Sequence, residues 1–171
     1  MKPTWQFLKQ SPAHFVALGC GSGLAPKAPG TFGTLFAWAT FYILNFLPIV
    51  LFWTWIVIAA ALGIWCINKA GKALGDVDHG SIVWDEIVPF WALLALVPNE
   101  FFCHAAAFVL FRIYDIFKPW PASYFDEKVK NAFGVLMDDV IAAAFAGVTL
   151  HAALMVFFYF TRVSTISGFF L

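Results

Sequence analysis

Charge is what this sequence has least of. Asp, Glu, Lys and Arg make up 12% of its 171 residues, 62% are hydrophobic, and the mean hydropathy is +0.83. A soluble domain of this length cannot cover its surface with so few charges, so lipid covers much of this one. Neither sign is in excess: ten basic residues balance ten acidic ones, so no nucleic-acid partner is expected. Cysteine is also scarce. Cys20, Cys66 and Cys103 are widely separated, fit no CxxC or Cys/His metal spacing, and their odd number argues against a disulfide framework. They are expected to be buried thiols acting as small apolar residues. Met1 to Gln10 lacks a long apolar core with a small-residue cleavage site, so a removable signal peptide is not expected. No heptad or solenoid repeat is present.

What is there is a series of apolar segments. They predict an all-α, polytopic membrane bundle of about five transmembrane or membrane-embedded helices, forming a single domain over 1–171. Residues 1–18 read as an amphipathic approach, with Trp5, Phe7 and Leu8 beside Lys2 and Lys9. A stretch rich in Gly and Pro follows, from Gly19 to Gly33, and is expected to be an irregular loop. The apolar segments are 34–47, 50–67, 82–97, 101–117 and about 135–160, with a short tail at 161–171. With the N-terminus inside, alternation across five spans puts every Lys and Arg except Arg162 on the inner side.

Against that background the acidic residues stand out. Asp85 and Glu86 lie where the third segment begins, within Ile82-Val83-Trp84-Asp85-Glu86-Ile87-Val88. Carboxylates in such a run are costly, so they pair, bind a cation or line a polar cavity. Arg112 and Asp115 end the fourth segment on one helix face, and Asp138 and Asp139 begin the fifth. The topology brings all of them to one depth, beside the glycine-rich entry to the first. Five carboxylates there repel one another unless a cation neutralises them, and an all-oxygen donor set suits Mg²⁺ or another hard ion. Arg112, Lys118 and the backbone near Gly30 and Thr31 supply positive groups for an anion, with phosphate the obvious candidate. Taken singly, most of these residues have an ordinary reading as helix-end pairs or dipole-favoured charges. Asp76, Asp78, Asp126 and Glu127 read as solvated loop charges, and His79 as a surface loop histidine.

Several chemistries are excluded. The positions six residues after the cysteines are Pro26, Lys72 and Val109, so no cysteine phosphatase loop exists. Asp76-Val77-Asp78 matches an aspartyl-phosphatase pattern but follows no strand. A cation or proton transporter using the carboxylates as a relay is the main alternative. It requires ionisable groups along a path to the other side, where only Glu100, His104, His151 and Arg162 lie.

Four stretches together carry a resemblance. They are Gly21-Ser22-Gly23-Leu24-Ala25-Pro26-Lys27-Ala28-Pro29-Gly30-Thr31-Phe32-Gly33, Asp78 to Glu86, Phe111 to Pro121, and Gly134-Val135-Leu136-Met137-Asp138-Asp139. In order and spacing, over roughly 19–147, the chain resembles phosphatidylglycerophosphatase A. The resemblance implies a Mg²⁺-dependent lipid phosphatase of the bacterial inner membrane, converting phosphatidylglycerophosphate to phosphatidylglycerol and inorganic phosphate. It faces the cytoplasm in this reading, among membrane lipids. The candidate metal ligands are Asp85, Glu86, Asp115, Asp138 and Asp139. Asp85, Glu86, Asp115 and Asp139 are the catalytic candidates, and Arg112, Lys118, Thr31 and Gly30 the phosphate-binding ones. Pro89 stands where the resemblance leads one to expect Gly, and Asn131-Ala132-Phe133 replaces a more glycine-rich approach to Gly134.

Overall fold

The computed structural model describes residues 2–167, with side chains through Thr161. Eight α-helices run α1 Trp5–Lys9, α2 Pro12–Ala17, α3 Pro29–Leu44, α4 Ile49–Leu74, α5 Trp84–Leu96, α6 Phe101–Phe117, α7 Ala122–Lys128 and α8 Ala132–Ser167. A 3-10 segment, Gly19–Leu24, links α2 towards α3, and no strand occurs among the described residues. The chain is therefore all-α, as expected.

The expectation of five spans is not supported. Among the described residues only α4 and α8 are long and apolar enough to cross a membrane. The reason is length. With 16, 13 and 17 residues, α3, α5 and α6 rise about 24, 20 and 26 Å, against roughly 30 Å of hydrocarbon. Apolar composition located these helices without distinguishing an embedded helix from a crossing one. Other boundaries moved as well. The stretch Pro29-Gly30-Thr31-Phe32-Gly33 is the first part of α3 rather than loop, because Pro29 takes the first helical position, where its missing N–H costs nothing. The helix α8 continues to Ser167, so most of the expected 161–171 tail is helical; its last residues and the side chain of Arg162 lie outside the described residues.

The short helix α5 is the centre of the bundle, packed against α3, α4, α6 and α8. Its start is tied down by the Val83 N–H, which donates to the Ala17 carbonyl at 3.0 Å. Two tryptophans then fix its sides. Trp84 Nε1 donates to the Ala59 carbonyl of α4 at 3.0 Å, and Trp91 Nε1 to the Ala37 carbonyl of α3 at 2.9 Å. Gly63 on α4 makes room, since a Cβ there would lie 2.5 Å from Trp84 Cδ1. Ile87, Phe90, Leu94, Phe41, Phe111 and Ala146 close the core around α5.

The N-terminal helices do more than lie at an interface. Phe7, Leu8, Ala13, Ala17 and Leu18 form a second core with Cys66, Ile67, Ala70 and Leu74 of α4. Of the cysteines, Cys66 is buried and Cys103 half-buried, but Cys20 is exposed, because residue 20 sits in a left-handed turn at φ 57°. Large apolar side chains remain outward on the bundle, Phe46 at 88% and Phe102 at 85% exposure among them. An exposed apolar surface of this size is one that meets lipid or another protein.

Candidate active site

Five helix ends meet at one end of the bundle: the starts of α3, α5 and α8 and the ends of α4 and α6. The charged residues singled out from sequence are carried by three of them, α5, α6 and α8. Glu86 sits in the first turn of α5 and pairs directly with Arg112 Nη1 of α6. The same nitrogen lies 2.8 Å from Asp115 Oδ2, one turn along α6. Thr34 of α3 completes this group: its Oγ1 is 3.0 Å from Glu86 Oε2 and 2.9 Å from the Gly30 carbonyl. Its one proton serves either acceptor at a time. Glu86 approaches α3 so closely that any Cβ on Gly30 would overlap its carboxylate. Gly30 thus provides clearance for Glu86, and Thr34, rather than Thr31, reaches the acidic group.

A second group forms across the loop after α6. Lys118 ends that helix in the left-handed region at φ 42°, a conformation costly for a side-chain-bearing residue. There Nζ lies 2.5 Å from Asp138 Oδ2 on α8 and 2.6 Å from Asp126 Oδ1 on α7. Burial works against the ammonium, but these hydrogen bonds and the charges of Asp138 and Asp139 more than offset it, and the Lys118 pKa is held above its ordinary value. Asp78, in the loop between α4 and α5, is within electrostatic reach of Lys118 and Asp126. Partial desolvation raises its pKa. Asp126 is therefore part of the site's ion pairs rather than a solvated loop charge, whereas Asp78 stays exposed in the loop, as expected. His79 Nδ1 accepts from the Ser81 N–H at 3.2 Å, which gives it a local role in the turn before α5.

Asp85, Asp138 and Asp139 lie between the two groups. All three are buried, with 6%, 3% and 3% exposure. One oxygen of each, Oδ1, has no hydrogen-bond partner, and neither has the buried Nε of Arg112. Asp139 is within electrostatic reach of Asp85, Glu86, Asp115 and Asp138. Buried polar atoms without partners are rare and costly, so unpartnered atoms of both signs in one place point to a missing pair of opposite charges. Among the described residues no three Asp, Glu, His or Cys side chains converge closely enough to cage an ion alone. An ion that keeps several waters and takes only one or two carboxylates at a time, as Mg²⁺ does, fits such a donor set.

Residues 15–154 match the sequence profile of phosphatidylglycerophosphatase A. The chain belongs to that family. It is 41% identical over 146 residues to phosphatidylglycerophosphatase A of Escherichia coli strain K12, covering 84% of this chain and 85% of the relative. A Haemophilus influenzae protein of the same name is 42% identical over 144 residues, with 83% and 88% covered. A protein of Bacteroides thetaiotaomicron, provisionally named a phosphatidylinositol-3-phosphatase, is 38% identical over 148 residues, with 81% and 91% covered. No solved structure matches the chain.

The two places where this chain departs from the pattern expected of the family have local explanations. Pro89 lies inside α5 and lacks the N–H that would bond the Asp85 carbonyl four residues earlier, which leaves that oxygen outside the helical ladder. Asn131 caps α8: its Oδ1 accepts from the Phe133 and Gly134 N–H groups at 3.1 and 2.9 Å.

Proposed function

We propose that this chain hydrolyses the terminal phosphate of phosphatidylglycerophosphate, giving phosphatidylglycerol and inorganic phosphate. The family and its named relatives support the substrate. The observation that carries the site assignment is the coincidence of unpartnered buried oxygens on Asp85, Asp138 and Asp139 with the unpartnered Nε of Arg112. Asp85, Asp138 and Asp139 would hold Mg²⁺, with Asp115 beside them as a further oxygen donor and Glu86 left free of the metal. Bound there, the ion neutralises phosphate charge and polarises the phosphoryl group.

The remaining steps belong to the chain's own groups. Arg112 and Lys118 take the non-bridging phosphate oxygens, competing for them against their present carboxylate partners. As charge builds on those oxygens, the two partly buried cations stabilise it. Glu86, held by Thr34 and Arg112, accepts a proton from the attacking water. The new P–O bond forms in line as the ester P–O bond to glycerol breaks, the departing alkoxide takes a proton from a solvent water, and Glu86 returns its proton to solvent. Water is the nucleophile in this scheme; trapping a phosphoenzyme during turnover would replace it with an aspartate.

The same reading places the chain in the bacterial inner membrane as one multi-pass domain with the site at the cytoplasmic leaflet. The distribution of Lys and Arg supports this orientation, since Lys69, Lys72, Arg112, Lys118, Lys128 and Lys130 cluster at the ends of α4 and α6 and before the start of α8. The substrate assignment is tested by phosphate release from purified protein in mixed micelles. Phosphatidylglycerophosphate is expected to be turned over faster than phosphatidylinositol 3-phosphate and phosphatidic acid. Equal or faster turnover of the inositol lipid would overturn the assignment.

A further inference from the structure

The carboxylate-bearing faces of α5 and α8 do not end at the site. Val88, Ala92 and Leu96 follow Asp85 at helical spacing on α5. Leu136 and Ala143 flank Asp139 on α8 in the same way. The two faces diverge to form a groove of about 790 Å³, with Ile56 of α4 contributing to its floor. No Asp, Glu, Lys or Arg lines it, and His151 is its one ionisable group. It is already narrow at Gly147, where a Cβ would lie 3.2 Å from Leu93 Cδ1.

We propose that this groove seats one acyl chain of the substrate lipid and so sets the depth at which the phosphate meets the buried carboxylates. The proposal rests on the lipid-phosphatase reading above. Three observations select an acyl chain as the occupant. The groove begins one helical turn from Asp85 and Asp139, at Val88 and Leu136, its lining holds no Asp, Glu, Lys or Arg, and it runs lengthwise along α5 and α8. On α5 the lining rises about 12 Å from Val88 to Leu96 and on α8 about 28 Å from Leu136 to Met155, within the roughly 30 Å hydrocarbon thickness. A chain moving from bilayer to groove exchanges one apolar surrounding for another, so little affinity is gained. What is gained is orientation: a phosphate tethered at fixed depth reaches Arg112 and Lys118 without searching.

The test uses the full-length protein in mixed micelles and two substrates, dioleoyl phosphatidylglycerophosphate and its water-soluble deacylated counterpart. Ala144→Trp fills the groove from an exposed position on its rim, and Gly147→Leu fills the narrow point. Val57→Trp, at a 68% exposed residue outside the groove, is the control. Both groove variants should lower kcat/KM on the dioleoyl substrate roughly tenfold or more, keep that on the deacylated substrate within about twofold, and differ in this from Val57→Trp, which changes neither. Equal losses on both substrates, or no loss on either, would overturn the proposal. So would a change in oligomeric state that accompanied the loss on the dioleoyl substrate, because the groove would then be a contact between two copies of the chain. Failure of the wild type on both substrates is a separate result, and it would remove the lipid-phosphatase reading along with the groove assignment.

Discussion

Arg112 of α6 and Glu86 of α5 form a direct ion pair, and the Thr34 hydroxyl of α3 closes against the same carboxylate at 3.0 Å. Three helices distant in sequence are thereby joined at one carboxylate. The pair holds Glu86 at fixed orientation while leaving Arg112 Nε for an incoming anion.

Changes to this group should separate by size. Thr34→Val keeps the helix and the volume but removes one hydrogen bond, worth about 1 kcal/mol, so kcat/KM should fall about fivefold. Arg112→Lys keeps the charge but loses the planar set of donors, and should cost roughly a hundredfold or more. Steady-state phosphate release measures both. Equal effects would mean that Thr34 does more than orient Glu86.

The buried carboxylates should show opposite effects on activity and stability. Asp85→Asn and Asp139→Asn each remove a charge that is buried with an unpartnered oxygen. In chelator, where repulsion is uncompensated, each variant should melt at the same temperature as wild type or a few degrees higher, at roughly 2–4 °C per kcal/mol. Added Mg²⁺ should raise the wild-type melting temperature and have a smaller effect on the variants. A melting temperature several degrees below wild type in chelator would show that these carboxylates are structural.

Much of this site was legible in the sequence, and the reason is the contrast of charge against an apolar background. Asp85, Glu86, Arg112, Asp115, Asp138 and Asp139 were each visible as ionisable groups at the ends of apolar segments, and alternation of direction put them at one end. Thr34 was not legible. It sits in an apolar helix as Thr40 and Thr54 do, and those two bond only carbonyls of their own helix or Trp91. Asp126 was not legible either, because only the left-handed turn at Lys118 brings α7 to Asp138. The number of spans failed for a different reason: an embedded helix of 13 residues and a crossing helix share the same composition.

Lys118 has a pH dependence with a definite sign. Its folded-state pKa is raised, so the stability it contributes is fully present below the unfolded value of about 10.4 and is lost as pH rises through the folded value. Lys118→Met leaves Asp138 buried without its partner, which costs about 1–3 kcal/mol. The difference in stability between wild type and Lys118→Met should therefore hold as pH rises to about 10 and shrink above that. Denaturation in detergent across that range measures it. A difference that shrinks below pH 9 would mean that Lys118 titrates in the working range and is not the phosphate-binding cation assigned here.

The most direct test of the account is release of inorganic phosphate from phosphatidylglycerophosphate by the purified protein, with Mg²⁺ and with chelator, alongside Asp85→Asn. The account predicts release by the wild type with Mg²⁺, loss in chelator, and loss in Asp85→Asn under both conditions. No release by the wild type with Mg²⁺, or undiminished release by Asp85→Asn, would contradict it.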